Sequence, residues 1–349
     1  MTTQDTHSQK QAKLIDRFGR NVTYVRLSVT DRCDLRCVYC MSEDMTFVPR
    51  EQLLTLEEMA RVGKAFVDLG VNKIRISGGE PLTRRGIMTL FDALGELDGL
   101  DDFTLTTNGS LLEKYALPLK NAGVTRINIS LDTLKTERFK KITRTGKLAQ
   151  TLAGIDAARE AGFKRLKINS VILRNYNTDE IVDLVEYVRQ QGMDVSFIEE
   201  MPMGMMGDHD RAASYYSSDQ ILQDLQQHYA NALVATTETS GGPANYYRFV
   251  DDADNTGSRI GFISPHSHNF CEDCNRVRVT AEGMLLLCLG QEHSLDLRRI
   301  LRAHPEDNEQ SNQILRQAII DAMQLKPKGH DFNLNGQPII MRHMSATGG

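Results

Sequence analysis

The chain has no tryptophan and no apolar run approaching the ~18 residues of a membrane-spanning helix. It also has no surplus of positive charge: 41 Lys+Arg against 46 Asp+Glu leave a formal net charge of -5. The opening stretch MTTQDTHSQKQAKLIDRFGR lacks the apolar h-region of a secretory signal. These absences argue against a membrane partner and against broad electrostatic binding to nucleic acid, and they make a cytoplasmic location the expectation. Any anionic ligand must be met by local arginines and lysines. No low-complexity segment or internal repeat is present beyond the alternation described below.

Cysteine is scarce, with six in 349 residues, and placement matters more than number. Cys33, Cys37 and Cys40 form a CxxxCxxC triad, Cys271, Cys274 and Cys288 form CxxCx13C, and none is left over. Disulfides would suit an oxidising compartment; without a signal segment, clustered cysteines point to metal. Three thiolates can hold three irons of a 4Fe-4S cube and leave the fourth open. The alternative at the first triad is a zinc knuckle lacking its fourth ligand. At the second it is a zinc site completed by His266 or His268.

From Tyr24 onward, strand-like runs alternate with amphipathic helical ones. Val25–Thr30, Lys73–Ser77, Phe103–Thr107, Arg126–Leu131, Leu166–Leu173 and Val195–Met201 read as strands. The helices between them are expected over Leu54–Gly70, Gly86–Leu97, Leu111–Asn121, Leu148–Ala161 and Thr178–Gln191, the first with Thr55 and Glu58 as a capping box. Such alternation specifies an α/β fold with a parallel sheet, and six units fit an open three-quarter (βα)6 TIM-like barrel. Past Ser217 the pattern changes to a helix over Asp219–Tyr229, short strands and two helices over Leu295–Ala303 and Asn312–Leu325. This C-terminal α+β addition is expected to cover the lateral opening of the barrel. The expected divisions are a disordered N-terminus at 1–20, the barrel at 21–216, the second-triad region at 217–340 and a flexible tail at 341–349 ending in Gly348-Gly349.

Each predicted strand ends in chemistry, and ligands of parallel α/β folds bind at the carboxyl ends of strands. Cys33 follows the first, Gly78-Gly79-Glu80-Pro81 the second, Thr107-Asn108-Gly109 the third, Ser130-Asp132 the fourth and Met201 the sixth. Side chains alternate in a strand, so Arg276 and Arg278 share one face. With Arg26, Arg75 and Lys167 they make a cationic lining, and guanidinium forks suit triphosphate oxygens. Taken singly, each of these residues could equally be a solvated surface charge. The methionine-dense Met203, Met205 and Met206 read as a flexible apolar loop rather than as ligands.

CxxxCxxC with Tyr39 just before its third cysteine resembles the signature of the radical S-adenosylmethionine superfamily. Gly78-Gly79-Glu80, Ser130-Leu131-Asp132 and Met201 are similar to its further motifs. That resemblance implies an open iron at Cys33/Cys37/Cys40, S-adenosylmethionine held by Tyr39, Gly79, Glu80, Ser130 and Met201, and cleavage to a 5′-deoxyadenosyl radical. The run Arg26–Cys33, Thr106-Thr107-Asn108-Gly109, Phe270–Arg278 and the terminal Gly348-Gly349 resemble one family within it, the GTP 3′,8-cyclases of molybdenum cofactor biosynthesis. The resemblance implies a second 4Fe-4S cluster on Cys271, Cys274 and Cys288 that meets the guanine base, and GTP contacts from Arg26, Arg75, Thr106, Lys167, Arg276, Val277 and Arg278. It further implies catalytic roles for Arg26, Arg276 and Arg278, and a tail that enters the site. The implied partners are a flavodoxin-like or ferredoxin-like electron donor, the cyclic pyranopterin monophosphate synthase and a second copy of the chain. The competing readings are a radical enzyme acting on a peptide and a zinc-stabilised module without chemistry.

Overall fold

A computed structural model describes residues 13–163, 165–204, 209–250, 257–332 and 340–348. Six strands follow the predicted order: β1 (Tyr24–Ser28), β2 (Lys73–Ser77), β3 (Asp102–Thr107), β4 (Arg126–Ser130), β5 (Leu166–Val171) and β6 (Asp194–Ile198). Each is joined in parallel register to the next. Between them run α1 (Leu56–Asp68), α2 (Ile87–Gly95), α3 (Leu112–Asn121), α4 (Thr136–Thr143), α5 (Leu148–Glu160) and α6 (Ile181–Gln190). The capping box forms as expected, Glu58 N donating to Thr55 Oγ1 at 3.1 Å and Thr55 N to Glu58 Oε2 at 2.7 Å. Such a cap contributes about 1 kcal/mol. The helix α4 was not expected. It ends at Arg144, whose φ of 62° is left-handed, and its last carbonyls accept from the loop that carries the first triad.

The strands alternate strictly. Val25, Leu27, Ile74, Ile76, Phe103, Leu105, Ile127, Ile129, Ile168, Val195 and Phe197 are buried in the main core under the helices. Full burial of one such side chain contributes roughly 1.5–3 kcal/mol, so Ile76→Asp would unseat β2 from α1 and α2. The opposite face carries Arg26, Arg75, Thr104, Thr106, Asn128, Lys167 and Asn169, which the register sets side by side. A strand buried on both faces usually reads as continuous apolar residues. Here the second face is polar, so the strands enclose a polar lumen rather than a packed barrel centre.

The C-terminal stretch adds α7 (Arg211–Ser214), α8 (Ser218–His228), β7 (Leu233–Thr236), β8 (Asn245–Phe249), β9 (Ile260–Ile263), β10 (Arg276–Val279), β11 (Met284–Leu286), β12 (Ser294–Asp296), α9 (Leu297–Ala303), α10 (Glu309–Met323) and α11 (Met344–Thr347). It does more than lie over the opening. β9 pairs in parallel with β6 and β10 in parallel with β1, so both edges of the partial barrel are extended from the same stretch. The sheet order is β12-β11-β10-β1-β2-β3-β4-β5-β6-β9-β8-β7, so the sheet stays open with β12 and β7 as its two edges. One apolar core runs through both parts and includes Val277, Leu285, Leu297, Leu315 and Ile319.

The expectation of disorder over residues 1–20 fails from Lys13 onward. Leu14 and Asp16 are buried, Ile15 bridges Asn21, and Asp16 pairs with Arg20 at 2.6 Å. The polar composition there hid an internally bonded turn. Residues 1–12 lie outside the described residues.

Candidate functional site

The first triad lies in the loop after β1, and neighbouring loops hold that loop from two sides. Arg36 N and Val38 N donate to Thr143 O and Ile142 O at 3.0 Å each, while Asn108 Nδ2 and Ser110 Oγ donate to Asp34 at 2.7 and 2.6 Å. All three thiols are part-buried, and burial pushes them up, Cys40 to about 11. Tyr39 Oη donates to Asp132 Oδ2 at 2.7 Å, and burial lifts that carboxyl to about 6.

Gly78 and Gly79 face the same cavity, and their lack of side chains is a steric requirement. A Cβ on Gly79 would lie 2.2 Å from Arg32 O, and one on Gly78, at φ 147°, would lie 2.4 Å from Thr30 O. Glu80 sits differently from its expected role. It is fully buried, and its carboxylate accepts from Leu82 N at 3.0 Å, Thr107 Oγ1 at 2.9 Å and Asn108 N at 2.7 Å. Burial raises it to about 7. The carboxylate ties the loops after β2 and β3 together, while the glycine backbone is what lines the cavity. Ser130 and Met201 also line it. Met203 is buried and bridges Ile340, whereas Met205 and Met206 lie outside the described residues.

The second triad sits at the opposite end of the lumen, as strand direction requires. Cys33 follows the end of β1, whereas Cys274 precedes the start of β10, which runs parallel to β1. Cys288 follows β11, which is antiparallel to β10, and so returns to the same end as Cys274. Neither candidate zinc-completing histidine joins them: His266 Nε2 contacts Glu200 O at 3.0 Å and His268 Nε2 contacts Asp219 Oδ1 at 2.7 Å. Among the described residues, no three His, Cys, Asp or Glu converge on a single metal position. A cube holds its thiolates farther apart than one tetrahedral ion does, so the donor set fits a cluster better than zinc.

Sequence reading missed two residues that shape this end. Arg20 donates to Cys271 O at 2.7 Å, Pro327 O at 2.6 Å and Lys328 O at 2.8 Å. Lys326 Nζ lies 3.5 Å from Cys274 Sγ. Burial would raise the Cys274 thiol, but Arg276 and Lys326 lower it on balance. Their distance in sequence from the cysteines left no local signal.

Between the triads lies the cationic wall. Arg26, Arg75, Lys167, Arg276 and Arg278 all line the cavity, as predicted, and burial lowers the affinity of Arg75, Lys167, Arg276 and Arg278 for their protons, Arg75 to about 10. Lys73 and Arg126 were missed. They meet at Asp102, Lys73 at 2.9 Å, and burial pushes Lys73 down to about 8. Tyr24 lies among these cations. Its burial favours the neutral phenol, yet Arg26, Arg75 and Lys73 outweigh that and bring it to about 7. Val277 belongs to the outer alternation and its side chain is in the core, which leaves its backbone for the cavity. The hydroxyl of Thr106 and the amides of Asn128 and Asn169 include buried polar atoms without a protein partner. Buried groups of this kind imply a polar ligand or water in the lumen.

The tail enters this space. Arg278 donates to Thr347 O at 3.2 Å and also to Gly348 O, and Arg26 Nη1 lies 3.5 Å from Gly348 O. Gly348 has φ 76°, and a Cβ there would meet Ser77 Oγ at 2.0 Å. Gly349 lies outside the described residues. The two triads, the glycine turn and the cationic wall share one cavity of ≈ 1890 Å³ including its mouth.

A partial parallel barrel with a CxxxCxxC loop at the mouth of its first strand defines the radical S-adenosylmethionine class. The Radical SAM superfamily model matches residues 27–188, and Molybdenum Cofactor Synthesis C matches residues 193–332. A GTP 3′,8-cyclase of Saccharophagus degradans is 55% identical over 340 residues, covering 97% of this chain and 100% of that protein. A GTP 3′,8-cyclase of Marinobacter nauticus is 56% identical over 339 residues, covering 97% and 99%. The chain belongs to the GTP 3′,8-cyclase family. Among solved structures, Streptococcus suis SuiB bound to S-adenosylmethionine aligns with TM-score 0.56 at 17% identity, covering 82% of this chain and 65% of that one. The anSMEcpe structure with bound AdoMet aligns with TM-score 0.52 at 13% identity, covering 85% and 84%. These distant likenesses concern the fold.

Proposed function

We propose that this protein converts GTP to (8S)-3′,8-cyclo-7,8-dihydroguanosine 5′-triphosphate, the first step of molybdenum cofactor biosynthesis, using S-adenosylmethionine and two 4Fe-4S clusters. The observation that carries the reading is the single lumen with a cysteine triad at each end and a cationic wall between. In it, Cys33, Cys37 and Cys40 hold the first cluster, and Cys271, Cys274 and Cys288 the second. When bound, a reduced cluster and S-adenosylmethionine supply one-electron cleavage of a carbon–sulfur bond and hydrogen abstraction by the released fragment.

The chain's own residues do the positioning. The Gly78-Gly79 backbone, Tyr39, Ser130 and Met201 receive S-adenosylmethionine at the mouth, with Asp132 holding the Tyr39 hydroxyl at 2.7 Å. Arg26, Arg75, Lys73, Lys167, Arg276 and Arg278 receive the triphosphate, and a low-dielectric lumen strengthens each of those contacts. Thr106 and the Val277 backbone face the nucleoside. Arg26 and Arg278 are also the two arginines that hold the tail, which supports a role for Gly348 in closing the lumen beside the sugar. Holding both organic molecules in one closed space supplies orientation and excludes water.

The test is an anaerobic reaction of the reconstituted protein with GTP, S-adenosylmethionine and dithionite. Deoxyadenosine and an isomer of GTP of unchanged mass are expected. Cys33→Ala should abolish S-adenosylmethionine cleavage, whereas Cys271→Ala should spare cleavage and remove the nucleotide product. Wild-type product formation by Cys271→Ala would refute the substrate role of the second triad. A peptide substrate suits the fold but not a wall of six cations. The product passes to the cyclic pyranopterin monophosphate synthase. The reductant is a flavodoxin-like or ferredoxin-like donor. The protein works in the cytoplasm as a homodimer. No helix among the described residues is long and apolar enough to cross a membrane.

A further inference from the structure

Lys326 follows α10 and is 1 % exposed. Its ammonium donates to Leu287 O at 2.8 Å and Arg276 O at 3.2 Å, and lies 3.5 Å from Cys274 Sγ. All three of its donors are thus directed at named acceptors, and none of these is a carboxylate. A buried ammonium without an anion is costly, and Cys274 sulfur is the one group touching it that carries charge when it ligates a metal. The position is held on both sides. Lys326 N donates to Met323 O at 3.1 Å, and Arg20 grips the carbonyls of Pro327, Lys328 and Cys271. A leucine or methionine would fill the same space at lower desolvation cost, so packing alone does not account for a lysine.

We propose that Lys326 is a positioning residue for the second cluster: its ammonium donates an N–H···S hydrogen bond to the Cys274 thiolate and raises the reduction potential of the cluster. The inference rests on the reading of Cys271, Cys274 and Cys288 as cluster ligands. A cluster becomes more negative when it gains an electron, so a fixed positive charge and a hydrogen bond at a ligating sulfur favour the reduced form. Lys326 is not itself among the residues that line the lumen. It acts through Cys274.

The potential tests this directly. A full-length chain carrying Cys33→Ala, Cys37→Ala and Cys40→Ala retains only the second triad. It is reconstituted anaerobically with iron and sulfide and titrated with dithionite and mediator dyes, with the reduced cluster followed by electron paramagnetic resonance. Adding Lys326→Met is expected to shift the potential negative. Lys326→Gln, which keeps a donor without the charge, should shift it less, and Lys326→Arg should stay nearest the parent. Equal potentials in all four chains would overturn the inference. A measurement on the unsubstituted residue keeps the test open should Lys326→Met fail to hold its cluster. Protein labelled with 15N at the lysine side chains should show a 15N coupling to the reduced cluster in pulsed spectra, and its absence would equally overturn the inference. A parent chain that binds no iron would instead overturn the ligand assignment, and the inference with it.

Discussion

Lys73 shows how one residue's setting becomes a measurable property. Its ammonium lies beside Asp102 at 2.9 Å, at the start of β2 and two residues before Arg75, and burial lowers its pKa from the ordinary lysine value to about 8. Below that pH it is charged and can meet a phosphate oxygen; above it the charge is lost. On the proposed reading, KM for GTP should therefore rise as pH passes 8, while KM for S-adenosylmethionine stays flat. A charge-assisted contact of roughly 1.5–3 kcal/mol sets the full effect at about tenfold or more. Parallel rises for both substrates would remove Lys73 from the triphosphate site. The cysteines were legible from sequence because their spacing is local. Arg26, Arg75, Arg276 and Arg278 were legible because strand alternation places them without knowledge of the fold. Lys73 and Arg126 obey the same alternation but stand at the first position of their strands, where alternation alone does not single them out. Lys326 and Arg20 obey no pattern at all, since only the folded chain brings them to the second triad.

At the scale of elements, the βα succession was legible and its ends were less so. Strands were read past the point where pairing stops, as at β5 and β6, which end at Val171 and Ile198 although buried Ile172 and Leu173 continue the apolar run after β5. The helix α4 was hidden in a charged run whose apolar anchors, Phe139 and Ile142, are too few to show a period. The tight turn after β2 gives the clearest test at this scale. Gly79→Ala would drive a methyl into the Arg32 carbonyl, and backbone cannot retreat as a side chain tip can. Destabilisation of about 1–3 kcal/mol is expected, with loss of S-adenosylmethionine affinity and little change in GTP affinity. Calorimetric titration of both ligands measures this, and a uniform loss would mean that the turn serves the fold alone. Gly348→Ala, blocked by Ser77, should leave both affinities near normal and lower turnover, because it keeps the tail from seating.

The whole molecule ties the start of its described chain to its end. Arg20 reaches the carbonyls of Cys271, Pro327 and Lys328, and Asp16 aligns it. Arg20→Ala should cost roughly 1.5–3 kcal/mol in these bonds. It should lower reconstituted iron from about eight to about four per chain, the loss falling on the second triad. Iron analysis with the spectrum of the remaining cluster decides the matter, and full iron content would show the clamp to be dispensable.

The pairing of β10 with β1 has a further meaning for the order in which the protein is made. The first triad leaves the ribosome early, but the strand that walls its lumen, and the tail that seats on Arg26 and Arg278, are among the last segments synthesised. Until then β1 lacks the neighbour that pairs with it on the side away from β2. Contacts so distant in sequence form late and slowly. The lumen around the first triad is therefore walled last, by a strand that lies about 240 residues further along the chain.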